Sequence, residues 1–452
     1  MPAVYVESLG CDKNLVDSEV MLGLLQEAGY TFTDDCHAAE VILVNTCAFI
    51  GDAKEESINT ILRLAGEKED GCCRVLIAAG CLAERYKDEI LEEMPEIDGV
   101  VGTASYDHIV SVIDEALKAK NESRDDKIRA FEDTSRLPER RGRRILTTGG
   151  HYAFLKIAEG CDKCCAYCAI PMVRGHYRSV PMEDILAEAE DLALRGVKEL
   201  ILVAQETTLY GRDLYGKKML PELIRKLAAI PEIRWIRLLY GYPEEITDEL
   251  IDLMAEEPKF CHYLDLPIQH ASDEILKKMG RMTTEADVRA IIAKLREKVP
   301  DIALRTTLMS GFPGETEEDH AANLAFIRDI RFERLGAFAY SREEGTRAGR
   351  MKGQIPKKIK EKRRNELMAL QQGVAFEKAA AMPGRELTVM VEGQVADEDV
   401  YVARTYMDAP EVDGYLFFTS SASYMTGDFV TVKVTGARGY DLLGEAKDES
   451  AE

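Results

Sequence analysis

The chain is organised around the stretch Cys161-Asp162-Lys163-Cys164-Cys165-Ala166-Tyr167-Cys168, which follows an apolar run. Four thiols within eight residues indicate a metal site. Cys161, Cys165 and Cys168 have the spacing C-x3-C-x2-C, while Cys164 offers the competing spacing C-x2-C-x3-C. A loop this short can aim three thiolates at one point but does not by itself complete a tetrahedral zinc site. A four-iron cluster takes four ligands, so three cysteines leave one iron open for a non-protein ligand.

Length, composition and charge restrict the class of protein. At 452 residues the chain is expected to form two to four domains. It contains no apolar run of about 18 residues, which predicts no membrane span, and its N-terminus shows no signal peptide, which predicts a cytoplasmic location. Thiols stay reduced there, so the eleven cysteines are interpreted as metal ligands and bystanders rather than as disulfides. The net charge of −23 argues against strong direct nucleic-acid binding and favours either a basic partner or simply solubility.

Residues 1–120 alternate between short apolar runs and helical patterns. This alternation predicts an α/β domain with an open parallel sheet and helices on both faces. The predicted strands are 3–7, 41–44, 74–78 and 99–101. The predicted helices are 16–28, 53–65, 84–94 and 106–118.

Cys11, Cys47 and Cys81 each come just after one of the first three predicted strands. Open α/β sheets bind ligands at the carboxyl ends of their strands, so we expect the three thiols to converge at one edge. Gly10 and Gly80 precede two of these cysteines and let the backbone turn there. One such cysteine is usually a small buried hydrophobe, but three in equivalent loops predict a second three-thiolate site. The remaining cysteines share no such pattern and are interpreted as bystanders: Cys36, Cys72, Cys73 and Cys261.

A charged linker is predicted at residues 121–150, and a second α/β domain at residues 151–380. The linker carries an arginine cluster, which is more typical of a solvated surface than of a substrate contact: Arg136, Arg140, Arg141, Arg143 and Arg144. Six strand–helix units follow and predict a parallel barrel, partial or complete. Its predicted strands are 152–158, 199–204, 234–240, 262–267, 302–309 and 335–340. Helices are predicted between them, at 182–195, 220–229, 244–254, 284–298 and 317–330.

Polar groups follow the predicted barrel strands, which is where barrel enzymes place their chemistry. They include Gln205 after the second strand, Gln269 and His270 after the fourth, and the loop that begins at Gly311 after the fifth. This loop lacks the Gly-Lys-Ser/Thr end of a phosphate loop, and no predicted strand is followed by the glycine pattern of a nicotinamide site. For His270 we favour a structural role over that of a general base.

In the last part of the chain the spacing of apolar residues changes. A helix that is basic at its start is predicted at 354–382, packed on the barrel, and residues 383–452 then alternate with period two. Five short strands are predicted at 386–392, 400–404, 414–419, 429–435 and 442–446, which fits a small all-β barrel similar to an OB module. Residues 384–452 hold 14 acidic against 5 basic residues, a balance of −9. That balance repels a phosphate backbone and attracts a basic protein.

In combination these features resemble the radical S-adenosylmethionine methylthiotransferase family over nearly the whole chain. The resemblance rests on both cysteine triads, on Cys168-Ala169-Ile170-Pro171, and on a terminal module similar to a TRAM domain. Four stretches look like the branch that modifies a ribosomal protein: Ser8-Leu9-Gly10-Cys11-Asp12-Lys13-Asn14, Asn45-Thr46-Cys47-Ala48-Phe49-Ile50, residues 203–211 and Ala409-Pro410-Glu411-Val412-Asp413-Gly414. The implied domains are an auxiliary-cluster domain at 1–120, a partial (β/α)6 radical-SAM core at 151–380 and a TRAM domain at 383–452.

The resemblance implies two 4Fe–4S clusters, one on each triad, with Cys165 rather than Cys164 as ligand because the family's spacing requires it. S-adenosylmethionine would bind the open iron of the Cys161 cluster and would be cleaved to a 5′-deoxyadenosyl radical after one electron arrives from a flavodoxin or ferredoxin. The auxiliary cluster would carry the incoming sulfur or methylthio group. The expected S-adenosylmethionine contacts are Tyr167, Ile170, Pro171, Gln205, Gln269, Arg305 and Gly311. For Arg305 a structural salt bridge is the alternative role.

The activity implied is methylthiolation of the β-carbon of an aspartate in the basic small-subunit ribosomal protein S-twelve. A radical suits this reaction, because such a C–H bond is far too weakly acidic for a side-chain base. Two alternatives stay open at this point: methylthiolation of tRNA adenosine, and a zinc-stabilised RNA-binding protein without catalysis.

Overall fold

The computed structural model describes residues 2–139, 144–396 and 398–447. The chain forms two compact units. Unit 1 consists of Met1–Thr147, Lys156–Val180 and Ser341–Gly349, and unit 2 of Thr148–Leu155, Pro181–Tyr340 and Arg350–Glu452. Three arginines of the predicted linker cluster, Arg140, Arg141 and Arg143, lie outside the described residues. Within the described ranges no helix is long and apolar enough to cross a membrane.

Unit 1 contains a six-stranded parallel sheet with the order β2-β1-β3-β4-β5-β6. Its strands are β1 Ala3–Ser8, β2 Thr31–Phe32, β3 Val41–Thr46, β4 Val75–Gly80, β5 Gly99–Val101 and β6 Ile128–Ala130. Its helices are α1 Asp12–Glu27, α2 Gly51–Ala65, α3 Glu67–Asp70, α4 Cys81–Tyr86, α5 Asp88–Glu93 and α6 Ile109–Asn121, with 3-10 turns at Cys36–Ala38 and Tyr106–His108. Alternate residues of β3 belong to different apolar clusters, Ile42 and Val44 to one and Val41 and Leu43 to the other. The sheet is therefore covered on both faces, as the apolar strands predict.

Three features of this sheet differ from the sequence-based expectation. β2 and β6 were not predicted, because strands of two and three half-exposed or exposed residues carry no apolar pattern. β6 lies within the predicted linker and pairs with β5. The single helix predicted at 84–94 is two helices, interrupted at Lys87, whose φ is +45°.

The central part of the chain is a second α/β sheet, which belongs to unit 2. Its order is β14-β13-β12-β11-β10-β7, and the strand pairs from β10 to β14 are parallel. In chain order the elements are β7 Tyr152–Lys156, β8 Ala158–Glu159, α7 Ile170–Val173, β9 Arg178–Ser179, α8 Met182–Leu194, β10 Glu199–Val203, α9 Arg212–Tyr215, α10 Leu220–Ala228, β11 Trp235–Leu238, α11 Asp248–Glu256, β12 Phe260–Asp265, α12 Asp273–Met279, α13 Glu285–Lys298, β13 Ala303–Ser310, α14 Glu317–Ile330, β14 Arg334–Ala339 and α15 Lys357–Ala380. Among the strands described here β7 and β14 are the two edges, so the expected barrel is a partial one.

Residues after β7 return to unit 1 before the second sheet continues. β8 and β9 form a small antiparallel pair there, and α7 lies between them in sequence. This excursion, Lys156–Val180, carries the four-thiol stretch, and unit 1 also holds Cys11, Cys47 and Cys81. Both predicted triads are therefore in the same compact unit.

The C-terminal strands form a closed five-stranded barrel, as predicted. They are β15 Glu386–Gln394, β16 Val400–Thr405, β17 Leu416–Thr419, β18 Phe429–Arg438 and β19 Asp441–Ala446, in the order β15-β16-β17-β19-β18. Within unit 2 a buried ion network joins this barrel to the amino ends of the larger sheet. Glu199 of β10 pairs with Arg237 at 2.7 Å and with Arg404 at 2.8 Å, and all three side chains are excluded from solvent.

Candidate active site

Three cysteine loops leave the carboxyl edge of the unit 1 sheet beside one another. Cys11 precedes α1, Cys47 follows β3, and Cys81 begins α4, and the strands before them, β1, β3 and β4, are adjacent and parallel. Burial, together with the charges of Cys81 and Cys11, raises the pKa of the Cys47 thiol to about 12. The structure thus brings the three thiols near one another at the edge that the sequence indicates.

Two glycines give these loops room to approach. Gly10 has φ +89°, and a Cβ on it would lie 2.7 Å from Cβ of Cys47 and 2.9 Å from its Sγ. Gly80 has φ +87°, and its Cβ would lie 2.2 Å from Oδ1 of Asn45. Both positions combine a left-handed backbone with a close contact, so only glycine fits.

Asn14 joins the three loops. Its Nδ2 donates to the carbonyl of Leu9 at 3.0 Å and to that of Thr46 at 2.8 Å. Its Oδ1 accepts from the Cys81 thiol at 3.7 Å and from Arg174. The sequence drew attention to Asn14 only as part of a family motif and missed Arg174. The available signal was a charged residue directly after the short helix Ile170–Val173, six positions beyond Cys168.

The second triad lies on the loop between β8 and α7. Cys161 and Cys165 are buried and Cys168 is half-buried. The amide of Cys168 donates to the Cys165 carbonyl at 3.1 Å, and the amide of Ile170 donates to Sγ of Cys168 at 3.4 Å. Burial, with the charges of Cys165 and Cys161, raises the pKa of Cys168. The Cys168 thiol therefore lies near the thiols of Cys165 and Cys161.

Cys164 differs from its neighbour Cys165. It is exposed, its φ is +51°, and its carbonyl accepts from Arg347 at 2.7 Å. A left-handed residue reverses the chain and sends successive side chains in different directions. This local turn puts Cys165 inside and Cys164 outside, which favours the C-x3-C-x2-C spacing.

The segment Ser341–Gly349 contacts the loops of both triads within unit 1. Oγ of Ser341 accepts from the amide of Gly51 at 3.1 Å, just after the Cys47 loop. The amide of Ala348 donates to the carbonyl of Ala166 at 2.8 Å, inside the second triad. The segment was not predicted as part of the site, because its residues carry no motif and only the folded chain brings them there.

The donor atoms of each triad fit an iron–sulfur cluster in their chemistry. The first triad provides three cysteines at one edge of the sheet, and the second provides three in one loop, where the Ile170 amide donates to Sγ of Cys168. In the part of the chain that the structure describes, no group of three or more His, Cys, Asp or Glu side chains is arranged to hold a single metal ion. The four bystander cysteines have other surroundings, and Cys72 is exposed. Cys36 contacts Glu67, Cys73 contacts the Val75 carbonyl, and Cys261 is buried in β12.

The predicted S-adenosylmethionine contacts fall in both units. Tyr167, Ile170 and Pro171 are half-buried and belong to the loop and helix of the second triad in unit 1. The other four belong to unit 2: Gln205, Gln269, Arg305 and Gly311. Gln205, Gln269 and Gly311 follow the carboxyl ends of β10, β12 and β13, as predicted.

Gln269 and the Gly311 loop have well-defined surroundings. Gln269 has φ +72°, its carbonyl accepts from Met309 at 2.7 Å, and its buried Oε1 has no hydrogen-bond partner among the described residues. An amide oxygen in this state is suited to a ligand donor. The Gly311 amide donates to Glu315 at 2.6 Å, and His270 lies 3.6 Å from the same carboxylate, in line with a structural histidine.

Arg305 lies in the first half of β13 rather than beyond its end. Its guanidinium donates to Asp265 at 2.8 Å and lies 3.9 Å from Asp413 of the C-terminal barrel. Burial opposes the charge, but Asp265 and its neighbours outweigh this and raise the pKa of Arg305 above its ordinary value. These contacts support the salt-bridge role, and the cofactor contact remains a prediction.

Comparison with known proteins matches all three parts of the chain. Residues 3–102 match the uncharacterized protein family UPF0004, residues 155–327 the radical SAM superfamily and residues 384–446 the TRAM domain. The chain is 58% identical to the ribosomal protein uS12 methylthiotransferase RimO of Lachnoclostridium phytofermentans, over 98% of this chain and 100% of that protein. It is 53% identical to the RimO of Acetivibrio thermocellus, over 99% of each. The radical S-adenosylmethionine methyltransferase TsrM from Kitasatospora setae, solved with cobalamin and a 4Fe–4S cluster bound, has a similar fold. The TM-score is 0.54 at 15% identity, over 77% of this chain and 76% of that one.

Proposed function

The chain belongs to the family of the ribosomal protein uS12 methylthiotransferases RimO, and we propose that it adds a methylthio group to the β-carbon of an aspartate in uS12. The observation that carries this proposal is 58% identity over 98% of the chain and the whole of a relative with that activity in its name. The methylthiotransferase relatives make the chain a transferase, and the radical SAM match indicates the class of enzyme that uses an iron–sulfur cluster and S-adenosylmethionine.

We further propose that each triad holds one 4Fe–4S cluster. Such clusters are bound by cysteine thiolates, and each triad supplies three. With S-adenosylmethionine bound, this class of site supplies an organic radical that can take hydrogen from an unactivated carbon. The protein itself has to bind the cofactor, orient it and keep water out of the site. Gly10 and Asn14 hold the Cys47 and Cys11 loops close together, and the Ile170 amide donates to a ligand sulfur of the other triad.

Binding of S-adenosylmethionine is assigned to the residues predicted for it. Tyr167, Ile170 and Pro171 flank the last cysteine of the second triad and present apolar surface suited to the adenine ring. In unit 2 the buried Oε1 of Gln269 offers an acceptor for a hydroxyl or amino group of the cofactor. Gln205 follows the carboxyl end of β10 and Gly311 that of β13 in the same sheet, and both are included in the proposal.

Charge supports the choice of a protein substrate. The net charge of the chain is −23, and its terminal module, residues 384–452, has a balance of −9. A basic ribosomal protein is attracted by such a surface, whereas RNA is repelled. We therefore expect no strong direct binding of nucleic acid. The electron donor is proposed to be a small redox protein such as a flavodoxin or ferredoxin, in the cytoplasm.

The test is an assay of the reconstituted enzyme on uS12 and, separately, on tRNA, with the products identified by mass spectrometry. We expect one methylthio group on an aspartate of uS12 and no modified adenosine. Methylthiolation of tRNA without modification of uS12 would overturn the substrate assignment.

A second measurement tests the cofactors. We expect about eight iron atoms per chain from two four-iron clusters, and a loss of half when Cys161, Cys165 and Cys168 are replaced by Ala. The matched control is Cys36→Ala with Cys72→Ala, which removes thiols outside both triads and should leave the iron content unchanged. A colourless protein that contains zinc and no iron would contradict the proposal.

A further inference from the structure

We propose that Arg174 is a positioning residue of the auxiliary site, and that its guanidinium sets the reduction potential of the cluster bound by Cys11, Cys47 and Cys81. The inference rests on the proposed function, which places a cluster on these thiols. It is carried by the burial of Arg174, by its contacts, and by its position in the chain, six residues after the last cysteine of the second triad.

Arg174 is held rigidly by carboxylates. It is 2% exposed, and its Nη1 donates to Asp17 at 2.7 Å and to Glu159 at 3.1 Å. Two bonds from one nitrogen fix the plane of the guanidinium. Its Nη2 is thereby directed at Oδ1 of Asn14, the oxygen that also accepts from the Cys81 thiol.

The buried ion network is balanced in charge. Lys156 is as buried as Arg174, its Nζ contacts Asp17 and lies 2.7 Å from Glu159, and together with Arg174 it neutralises the two carboxylates. A buried ion network is seldom more stabilising than apolar residues of the same size. The neighbouring thiols become anionic when they bind iron, so removal of a cation or an anion from this network changes the net charge that faces the cluster.

Asn14 links Arg174 to a thiol of the auxiliary site. Its Oδ1 accepts from Nη2 of Arg174 and, at 3.7 Å, from the Cys81 thiol. A guanidinium stays protonated in proteins. Arg174 is therefore a permanent positive charge that is separated from Cys81 by one side-chain oxygen.

The position of the network in the chain links the two triads. Glu159 lies two residues before Cys161, and Arg174 six residues after Cys168. Their partners Asp17 and Asn14 are on α1, the helix that begins directly after Cys11. The buried ion network consequently fixes the loop of the second triad to the helix of the first, within unit 1.

A buried cation favours the more negative, reduced state of a nearby cluster, and a buried anion disfavours it. The two charges of the network can therefore be tested with opposite expectations. In a background with Cys161, Cys165 and Cys168 replaced by Ala, only the auxiliary cluster remains. In that background, Arg174→Gln should decrease the ratio of reduced to oxidised cluster at least tenfold at a fixed solution potential. This corresponds to a fall of about 59 mV in the reduction potential of a one-electron couple. Asp17→Asn should increase the reduced fraction. Redox titration followed by electron paramagnetic resonance measures both.

The controls separate charge from packing. Arg174→Lys keeps the positive charge and should keep most of the potential. Arg237→Gln removes an equally buried arginine whose partner is Glu199, and should leave the potential unchanged.

The outcomes distinguish the inference from the proposed function. If the background protein with Arg174 intact binds no iron, the two-cluster assignment fails. If it binds iron and the potential is unmoved by both substitutions, or moves in the same direction in both, the role of Arg174 is overturned. If Arg174→Gln does not hold the cluster, the other two variants still test the role of Arg174. A higher potential in Asp17→Asn, together with an almost unchanged potential in Arg174→Lys, would support it.

Discussion

The backbone at Gly10 is left-handed and lies against Cys47, so one missing side chain allows two cysteine loops to meet. We predict that Gly10→Ala loses the auxiliary cluster while the Cys161 cluster remains. A left-handed alanine costs about 1–2 kcal/mol, and its Cβ would also lie 2.9 Å from Sγ of Cys47. Iron should fall from about eight to about four atoms per chain, as measured by chemical iron analysis of the reconstituted protein.

Gly196→Ala is the matched control for this substitution. Gly196 also has a positive φ, +99°, but a Cβ on it would meet no atom within 4 Å. The variant carries the same kind of backbone strain without the contact, and its iron content should equal that of the wild type. Equal iron in Gly10→Ala and the wild type would show that Cys47 does not need this close approach.

At the scale of the element, the segment Ser341–Gly349 depends on one carboxylate. Glu343 accepts from Lys54 at 2.7 Å and from Arg85 at 2.9 Å, and its side chain is buried. Burial alone would raise the pKa of Glu343, but the hydrogen bonds from Lys54 and Ser341 and the nearby charges outweigh it and lower the pKa. The segment is therefore fastened to unit 1 by an ionised glutamate.

We predict that Glu343→Gln loosens this segment at neutral pH and not at acid pH. Hydrogen bonds to charged groups contribute about 1.5–3 kcal/mol, so the amides of residues 341–349 should exchange at least tenfold faster at pH 7. A lowered folded-state pKa gives stability that is present above the unfolded value of about 4.3. The difference between variant and wild type should therefore vanish as the pH falls through the lowered pKa. Hydrogen–deuterium exchange with peptide mass analysis measures it.

Glu344→Gln is the control in the same segment, because Glu344 is exposed. It should leave exchange at residues 341–349 unchanged at both pH values. A difference between Glu343→Gln and the wild type that stayed constant with pH would show that shape rather than charge fastens the segment.

On the scale of the whole molecule, the excess of acidic over basic residues is the property that attracts a basic substrate. We predict that replacing Glu398, Asp399 and Glu445, all exposed on the C-terminal barrel, by Lys raises KM for uS12 several-fold and leaves kcat unchanged. Long-range attraction accelerates encounter without entering the chemical step, and added salt should reduce the difference. Steady-state kinetics at low and high ionic strength measures both effects.

The same change of charge on another surface is the control. Glu89, Glu92 and Glu93 are exposed on α5 in unit 1. If their replacement by Lys raises KM equally, the net charge of the chain and not the C-terminal barrel attracts the substrate. If neither set changes KM, recognition does not depend on long-range charge.

The sequence by itself determined the fold class and most of the elements, and it predicted both sets of thiols. Apolar runs marked β3 and β4, because burial on both faces leaves few polar positions in them. Alternation with period two marked the strands of the C-terminal barrel. Cysteines after successive strands indicated one edge, since parallel strands end together. The sequence did not predict the short edge strands β2 and β6, because they are strands through pairing with a neighbouring strand and not through a pattern of their own.

Only the tertiary structure decided what surrounds the thiols. Asn14, Arg174 and Glu343 are joined to the cysteine loops by contacts that span up to 289 residues of sequence. Such contacts produce no periodic pattern in the local sequence, because a buried ion pair is specified by the packing of distant elements rather than by its neighbours in the chain. The choice between Cys164 and Cys165 is of the same kind: adjacent thiols look equivalent in sequence, and the left-handed turn at Cys164 makes one of them face inward.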